Sequence, residues 1–132
     1  MRPYEVRDGY AAFIRQFQWD AFYTITCRKP RRDTIAFVRD VREKLFNANP
    51  QTRSFIAIEP HRTGMLHAHG LVHWHDALEK EYVRTYFNKR ARQLFGFSRF
   101  SQIRSNNAVN NYCAKYVTKN DDYEYDFFGD WS

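Results

Sequence analysis

Apolar and polar positions alternate most clearly in DAFYTITC, Asp20 to Cys27. Side chains two apart share a face of a strand, so Tyr23 and Ile25 fall on one side and Thr24 and Thr26 on the other. The following RKPRR is a loop, because Pro30 cannot donate to a ladder. From Asp33, a good helix cap, the apolar positions Phe37, Val38, Val41 and Leu45 recur at helical spacing until about Asn49-Pro50. SFIAIE (Ser54 to Glu59) and MLHAHGLVHW (Met65 to Trp74) are a second and a third strand, and the short PHRTG connection makes them an antiparallel pair. Asp76 and Glu79 then have capping-box spacing, and Leu78, Tyr82, Tyr86, Ala91 and Leu94 form one helical stripe that stops near Gly96. FSRFSQIR (Phe97 to Arg104) is a fourth strand, AVNNYCAKYVTK a last helix, and YEYDFFGDW an added edge strand. The order β-α-β-β-α-β-α predicts an α+β fold. A central antiparallel sheet of about five strands in a split-βαβ arrangement would be flanked by helices.

Composition narrows the class. At 132 residues the chain is expected to form a single domain spanning 1–132. It has no apolar run long enough for a membrane span, and MRPYEVRDGYAAF lacks a secretory pattern, so an intracellular, cytoplasmic protein is expected. Cys27 and Cys113 lack CxxC spacing and are expected to be reduced and free of metal. The net charge is +6, and the chain carries 12 Phe, 9 Tyr and 3 Trp. Cations that neutralise phosphates beside rings that stack on bases suit a single-stranded nucleic-acid binder; the bland alternative is a solvated basic surface over an aromatic core.

Four of the five histidines lie between His67 and His75. On a strand His67 and His69 project together, about 7 Å apart at Cα. If the hairpin pairs Glu59 with His67, a carboxylate joins the two imidazoles on one face, a ligand set with positions left open for water or substrate. His73 and His75 share that parity but lie further from the turn. His75 reads as a strand-end residue beside Asp76, and His73 as a neighbour on the fringe. Histidines that merely satisfy a half-buried strand are the alternative.

In NNYCAKYVTK, Tyr112 and Tyr116 are four apart and lie on nearly one helix face, each followed three residues later by a lysine, Lys115 and Lys119. An ammonium can stabilise a phenolate or neutralise a phosphate. An ordinary amphipathic helix, Tyr packed and Lys in water, explains the same spacing.

Together these segments resemble the HUH superfamily of nucleases, of the rolling-circle replication initiator (Rep) type. FYTITC is similar to the family's first motif, HAH to its metal-binding motif, and the tyrosine–lysine helix to its third, in the family's order. The doubled YCAKYVTK is similar to the two-tyrosine initiators of single-stranded DNA phages. The resemblance runs from Phe22 to Lys119, with Ala68 smaller than the residue usual between the histidines. It implies a ferredoxin-like or RRM-like antiparallel sheet and a bound Mg²⁺ or Mn²⁺ on His67, His69 and Glu59. It also implies nicking of single-stranded DNA by Tyr112 or Tyr116, with Tyr112 favoured for the first cut, leaving a 5′-phosphotyrosine and a free 3′-OH.

The expectation is therefore a metal-dependent, site-specific endonuclease and strand-transferase that initiates replication of a virus, phage or plasmid. Its partners would be an origin in single-stranded DNA, with a hairpin as one form, and a helicase and polymerase of host or virus, with no membrane. Lys115 and Lys119 would contact phosphate. Arg28, Lys29, Arg31 and Arg32 of the RKPRR loop, with Lys89, Arg90 and Arg92 on the second helix, are the candidate DNA surfaces. A single-tyrosine HUH transposase and a non-catalytic nucleic-acid-binding sheet are the rival readings.

Overall fold

A five-stranded antiparallel sheet forms the centre of the computed structural model, which describes residues 3–30, 33–46, 51–60, 65–75, 77–118 and 123–131. The strands are β1 (Ala21–Cys27), β2 (Thr52–Glu59), β3 (His67–Trp74), β4 (Gly96–Gln102) and β5 (Glu124–Gly129), in the order β4-β1-β3-β2-β5. The helices are α1 (Pro3–Ile14), α2 (Thr34–Asp40), α3 (Lys80–Phe95) and α4 (Asn106–Tyr116). The α+β class, the antiparallel sheet and the edge position of the aromatic tail are all as the hydrophobic pattern predicts. Helix α1 is an addition to that pattern.

Alternation along the strands divides the apolar side chains between two cores. Ala21, Tyr23, Ile25 and Cys27 of β1 point to one face, where they meet Phe37, Val38, Val41, Leu45 and Phe46 of the first crossover and Phe87, Ala91 and Phe95 of α3. Phe55 and Ala57 of β2 and Leu71 of β3 point to the other, against Ala11 and Ile14 of α1 and Val109, Tyr112, Cys113 and Val117 of α4. The first crossover begins as expected, with the Asp33 side chain accepting from the Ala36 amide at 3.0 Å. It then widens into a π-helical segment, Val41–Phe46, that keeps Val41, Leu45 and Phe46 buried.

The stripe expected on α3 needs correction. Leu78 precedes the helix and is 98% exposed, and Tyr82 and Tyr86 are also exposed. The packed face is Phe87, Ala91 and Phe95, backed by Val83 and Leu94. Positions 82 and 86 lie one residue, about 100°, away from the 83–87–91 face, and packing on the sheet chose the latter. Asp76 lies outside the described residues, and Glu79 caps α3 without a side-chain hydrogen bond.

Gly70 explains how the first core closes over the middle strand. Tyr23 on β1 is paired with Gly70 on β3, and its hydroxyl reaches Ser54 Oγ on β2, 2.8 Å away. The ring therefore crosses β3, and a Cβ at Gly70 would stand 1.9 Å from Tyr23 Cζ. Only a residue without a side chain fits beneath it.

Candidate functional site

The β2–β3 register pairs Glu59 with His67 and Ala57 with His69, while β1 sets Thr26 beside His67 and Thr24 beside His69. The carboxylate, both imidazoles and both hydroxyls consequently share the sheet face that α4 covers. Glu59 Oε2 lies 2.7 Å from His69 Nε2, reaching diagonally across the hairpin. His67 Nδ1 lies 2.9 Å from Thr26 Oγ1. The two imidazoles are nearly parallel, 13° apart, with centres 6.5 Å apart.

Protonation states follow from this geometry. Burial pushes the His69 imidazole below its ordinary value, against the pull of Glu59. Burial raises the Glu59 carboxyl, but the hydrogen bonds to it from His69 and Tyr123, with the charge of His69, outweigh that and leave it below the usual carboxylate range. At neutral pH the pair is an ionised carboxylate facing a neutral imidazole. In that tautomer Nε2–H donates to Glu59, and the buried Nδ1 of His69 has no hydrogen-bond partner. These are the protonation states a metal ligand needs, and the donor types suit a divalent cation. Among the described residues, however, no three His, Cys, Asp or Glu side chains are gathered so as to hold an ion. Glu59 and His69 are in contact with each other, and His67 stands to one side on Thr26.

Helix α4 begins at Ser105, whose side chain accepts from the Ala108 amide, and brings both tyrosines to this face in different roles. Tyr112 is 4% exposed, and its hydroxyl donates to the His69 carbonyl at 2.6 Å. Burial pushes its phenol well above the ordinary tyrosine value. Tyr116 is half-buried and lies flat on the His69 imidazole, centres 4.2 Å apart and planes 14° apart. The Lys115 ammonium is 5.2 Å from the centre of the Tyr116 ring. Tyr125 of β5 donates to the carbonyls of Tyr116 and Val117, at 3.0 and 3.1 Å, and so ties the end of α4 to the sheet. Tyr123, Tyr125 and Thr26 are functional neighbours that sequence reasoning missed. Only the alternation in FYTITC, which puts Thr26 on the histidine face, could have found one of them.

The second histidine pair has a separate fate. His73 Nδ1 sits 2.9 Å from Asp20 Oδ2, and the same carboxylate takes the Trp74 amide and the Lys80 ammonium. His75 Nε2 is 2.9 Å from the Asp130 carbonyl. Both fasten the far end of β3 to its surroundings.

The basic candidates scatter. Arg28 and Lys29 are exposed at the Cys27 end of β1, the end at which His67 lies. Arg31, Arg32 and Lys119 fall outside the described residues. Lys89 and Arg90 are exposed on α3, across the sheet from the histidines, and Arg92 donates from Nε to the Ser98 carbonyl. The surface beside the histidines is instead the uncovered part of the sheet on β1 and β4. There the exposed Phe97 and Arg99 share the face of Thr26 and Thr24. No described helix is long and apolar enough to cross a membrane.

The family model described as replication-associated protein ORF2 matches residues 20–121. The match takes in all of the site except Tyr123, Tyr125 and the rest of β5. No curated protein and no solved structure matches the chain.

Proposed function

The chain belongs to the replication-associated protein ORF2 family, and on that premise we propose that it nicks and rejoins single-stranded DNA through a transient bond to a tyrosine as replication begins. The observation that carries this reading is the Tyr116 ring laid on His69, whose imidazole is hydrogen-bonded to Glu59. A nucleophile, a neutral imidazole and an ionised carboxylate meet on one half-open face.

In the reaction, Tyr116 Oη forms a bond to phosphorus, and the bond from phosphorus to the 3′ oxygen of the preceding nucleotide breaks. The phenolic proton is lost to solvent, and the departing 3′ oxygen takes one up. One phosphodiester replaces another, so the released 3′-OH can later attack the phosphotyrosine and rejoin the strand. Lys115 attracts the phosphate and offsets charge on the phenol oxygen. Once Glu59 gives up its bond to His69 and His67 its bond to Thr26, these three side chains would hold Mg²⁺ or Mn²⁺, which when bound would polarise the scissile phosphate. Tyr112 fixes α4 to β3 through the His69 carbonyl, and its buried hydroxyl would have to leave that carbonyl before it could attack. The first cut therefore falls to Tyr116, the reverse of the order expected from the motif.

Incubation with a labelled random-sequence single-stranded DNA pool and Mn²⁺, followed by denaturing electrophoresis, tests the proposal. A covalent protein–DNA band whose attached peptide contains Tyr116 is expected. DNA bound without any covalent band would overturn nicking and leave a binding-only sheet.

A further inference from the structure

Helix α4 rests over β2 and β3, where Tyr112 meets Phe55. Beyond it, no described helix covers this face of β1 and β4, and at this step lies a cavity of about 330 Å³. Phe22 and Thr24 of β1 form one side; Ala108, Asn111, Tyr112 and Lys115 of α4 form the other. Residues 108, 111, 112 and 115 share a helix face by their spacing, so the wall is continuous. His69 and Tyr116 also line the cavity, which therefore opens onto the atoms proposed to react.

We propose that this cavity receives one unpaired nucleobase of the DNA strand, from a nucleotide next to the phosphate that Tyr116 attacks, and that Asn111 reads its edge. The inference rests on the nicking reading for the position of that nucleotide. Its volume lies at the small end of the range for ligand pockets and suits one planar ring system rather than a longer ligand. Phe22 is half-buried and lies near-parallel to Tyr112, planes 26° apart and centres 5.8 Å apart. Backed in this way, its ring is a fixed platform, and stacking on it accepts any base. Selection must come from polar groups. Asn111 is exposed at the rim and carries an amide donor and acceptor side by side, a pattern that meets one arrangement of base edge and rejects others. Thr24 adds a hydroxyl, and Lys115 stands where the nucleotide's phosphate would leave the cavity. A base inside a duplex is covered on both faces and paired at its edge, so only an unpaired base enters.

The test uses the full chain with a chelator present, so that binding is read without cutting. A random 20-nucleotide single-stranded DNA pool is bound, recovered and sequenced for the wild type, Asn111→Ala and Asn110→Ala. Asn110 is also exposed on α4 but does not line the cavity, and alanine favours helix at both positions. The wild type should enrich a motif in which a preference at one position, about tenfold for a single good base contact, disappears in Asn111→Ala while the other positions persist. Asn110→Ala should keep the whole motif. Identical motifs in the wild type and Asn111→Ala, the same loss in Asn110→Ala, or no motif in the wild type would each overturn the inference. A parallel covalent-band assay separates the two claims. A band with an unchanged motif removes the base reading alone, and a flattened position without any band removes nicking alone.

Discussion

Replacing each tyrosine of α4 by phenylalanine separates an anchor from a nucleophile. Tyr112→Phe deletes one hydroxyl that is buried and donates at 2.6 Å to the His69 carbonyl, and it leaves the ring in place between Phe22 and Phe55. No cavity larger than an oxygen atom forms, so the cost is that of one hydrogen bond, about 1 kcal/mol. For a chain of this size that lowers the melting temperature by about 4 °C. If the hydroxyl only positions His69 and Tyr116, the same loss spread over the transition state slows adduct formation by less than about tenfold. Tyr116→Phe should behave oppositely. Its ring still lies on His69 and melting moves little, about 0.5 kcal/mol or less at a half-exposed position, but no covalent DNA forms. Calorimetry and the covalent-band assay on the same preparations give both numbers. An inactive Tyr112→Phe beside an active Tyr116→Phe would refute the assignment. Two active single variants with an inactive double variant would show that α4 shifts to present either hydroxyl.

Acidification should destabilise the fold from about pH 6.5 downward, because His69 and His73 are held below that ordinary value and the unfolded chain takes up protons first. Glu59, also held low, adds to the loss as the pH falls from the ordinary carboxylate range through its own lowered value; denaturant titrations of wild type and Glu59→Gln from about pH 5 down to about pH 2 would show a shallower acid limb in the variant. At the alkaline end, Tyr112 stays protonated in the fold, so its contribution is full below pH 10 and fades as the pH rises towards its raised folded value. Tyr112→Phe should flatten that part of the curve. Asp20→Ala should cost about 1–3 kcal/mol in urea denaturation, since it strips acceptors from the Trp74 amide and the Lys80 ammonium. His73→Ala should still form covalent DNA, whereas His69→Ala should not; the reverse result would move the site to the second histidine pair. Removing metal with a chelator should abolish the covalent band and leave most DNA affinity, measured by fluorescence anisotropy, because phosphate contacts do not need the ion. Gly70→Ala should prevent stable folding, as circular dichroism would report, because the added carbon meets the Tyr23 ring.

Local pattern was enough for much of the molecule. Alternation in FYTITC and HAHGLVHW divides the side chains of β1 and β3 between two faces, and the short PHRTG connection makes β2 and β3 antiparallel, while the register that puts Glu59 opposite His67 is only a condition in the sequence and is the ladder's to give. The Asp33 cap and the end of α3 at Gly96, with φ of 137°, are equally local. The spacing of Tyr112 and Tyr116 makes them neighbours on α4. What spacing cannot set is the rotation of a helix about its own axis, since every residue moves together and the periodicity is unchanged. That angle came from packing: Phe22 and Phe55 drew Tyr112 inward and left Tyr116 on His69. The same freedom explains α3, where the sheet kept Ala91 of the expected stripe but selected Val83 and Phe87 over Tyr82 and Tyr86. It also explains the histidines. HAH and HWH look alike along the chain, yet one meets Glu59 ten residues away and the other Asp20 more than fifty away. Sequence periodicity defines angles between residues of one element, and only the elements brought against it decide which of those residues face chemistry and which face the core.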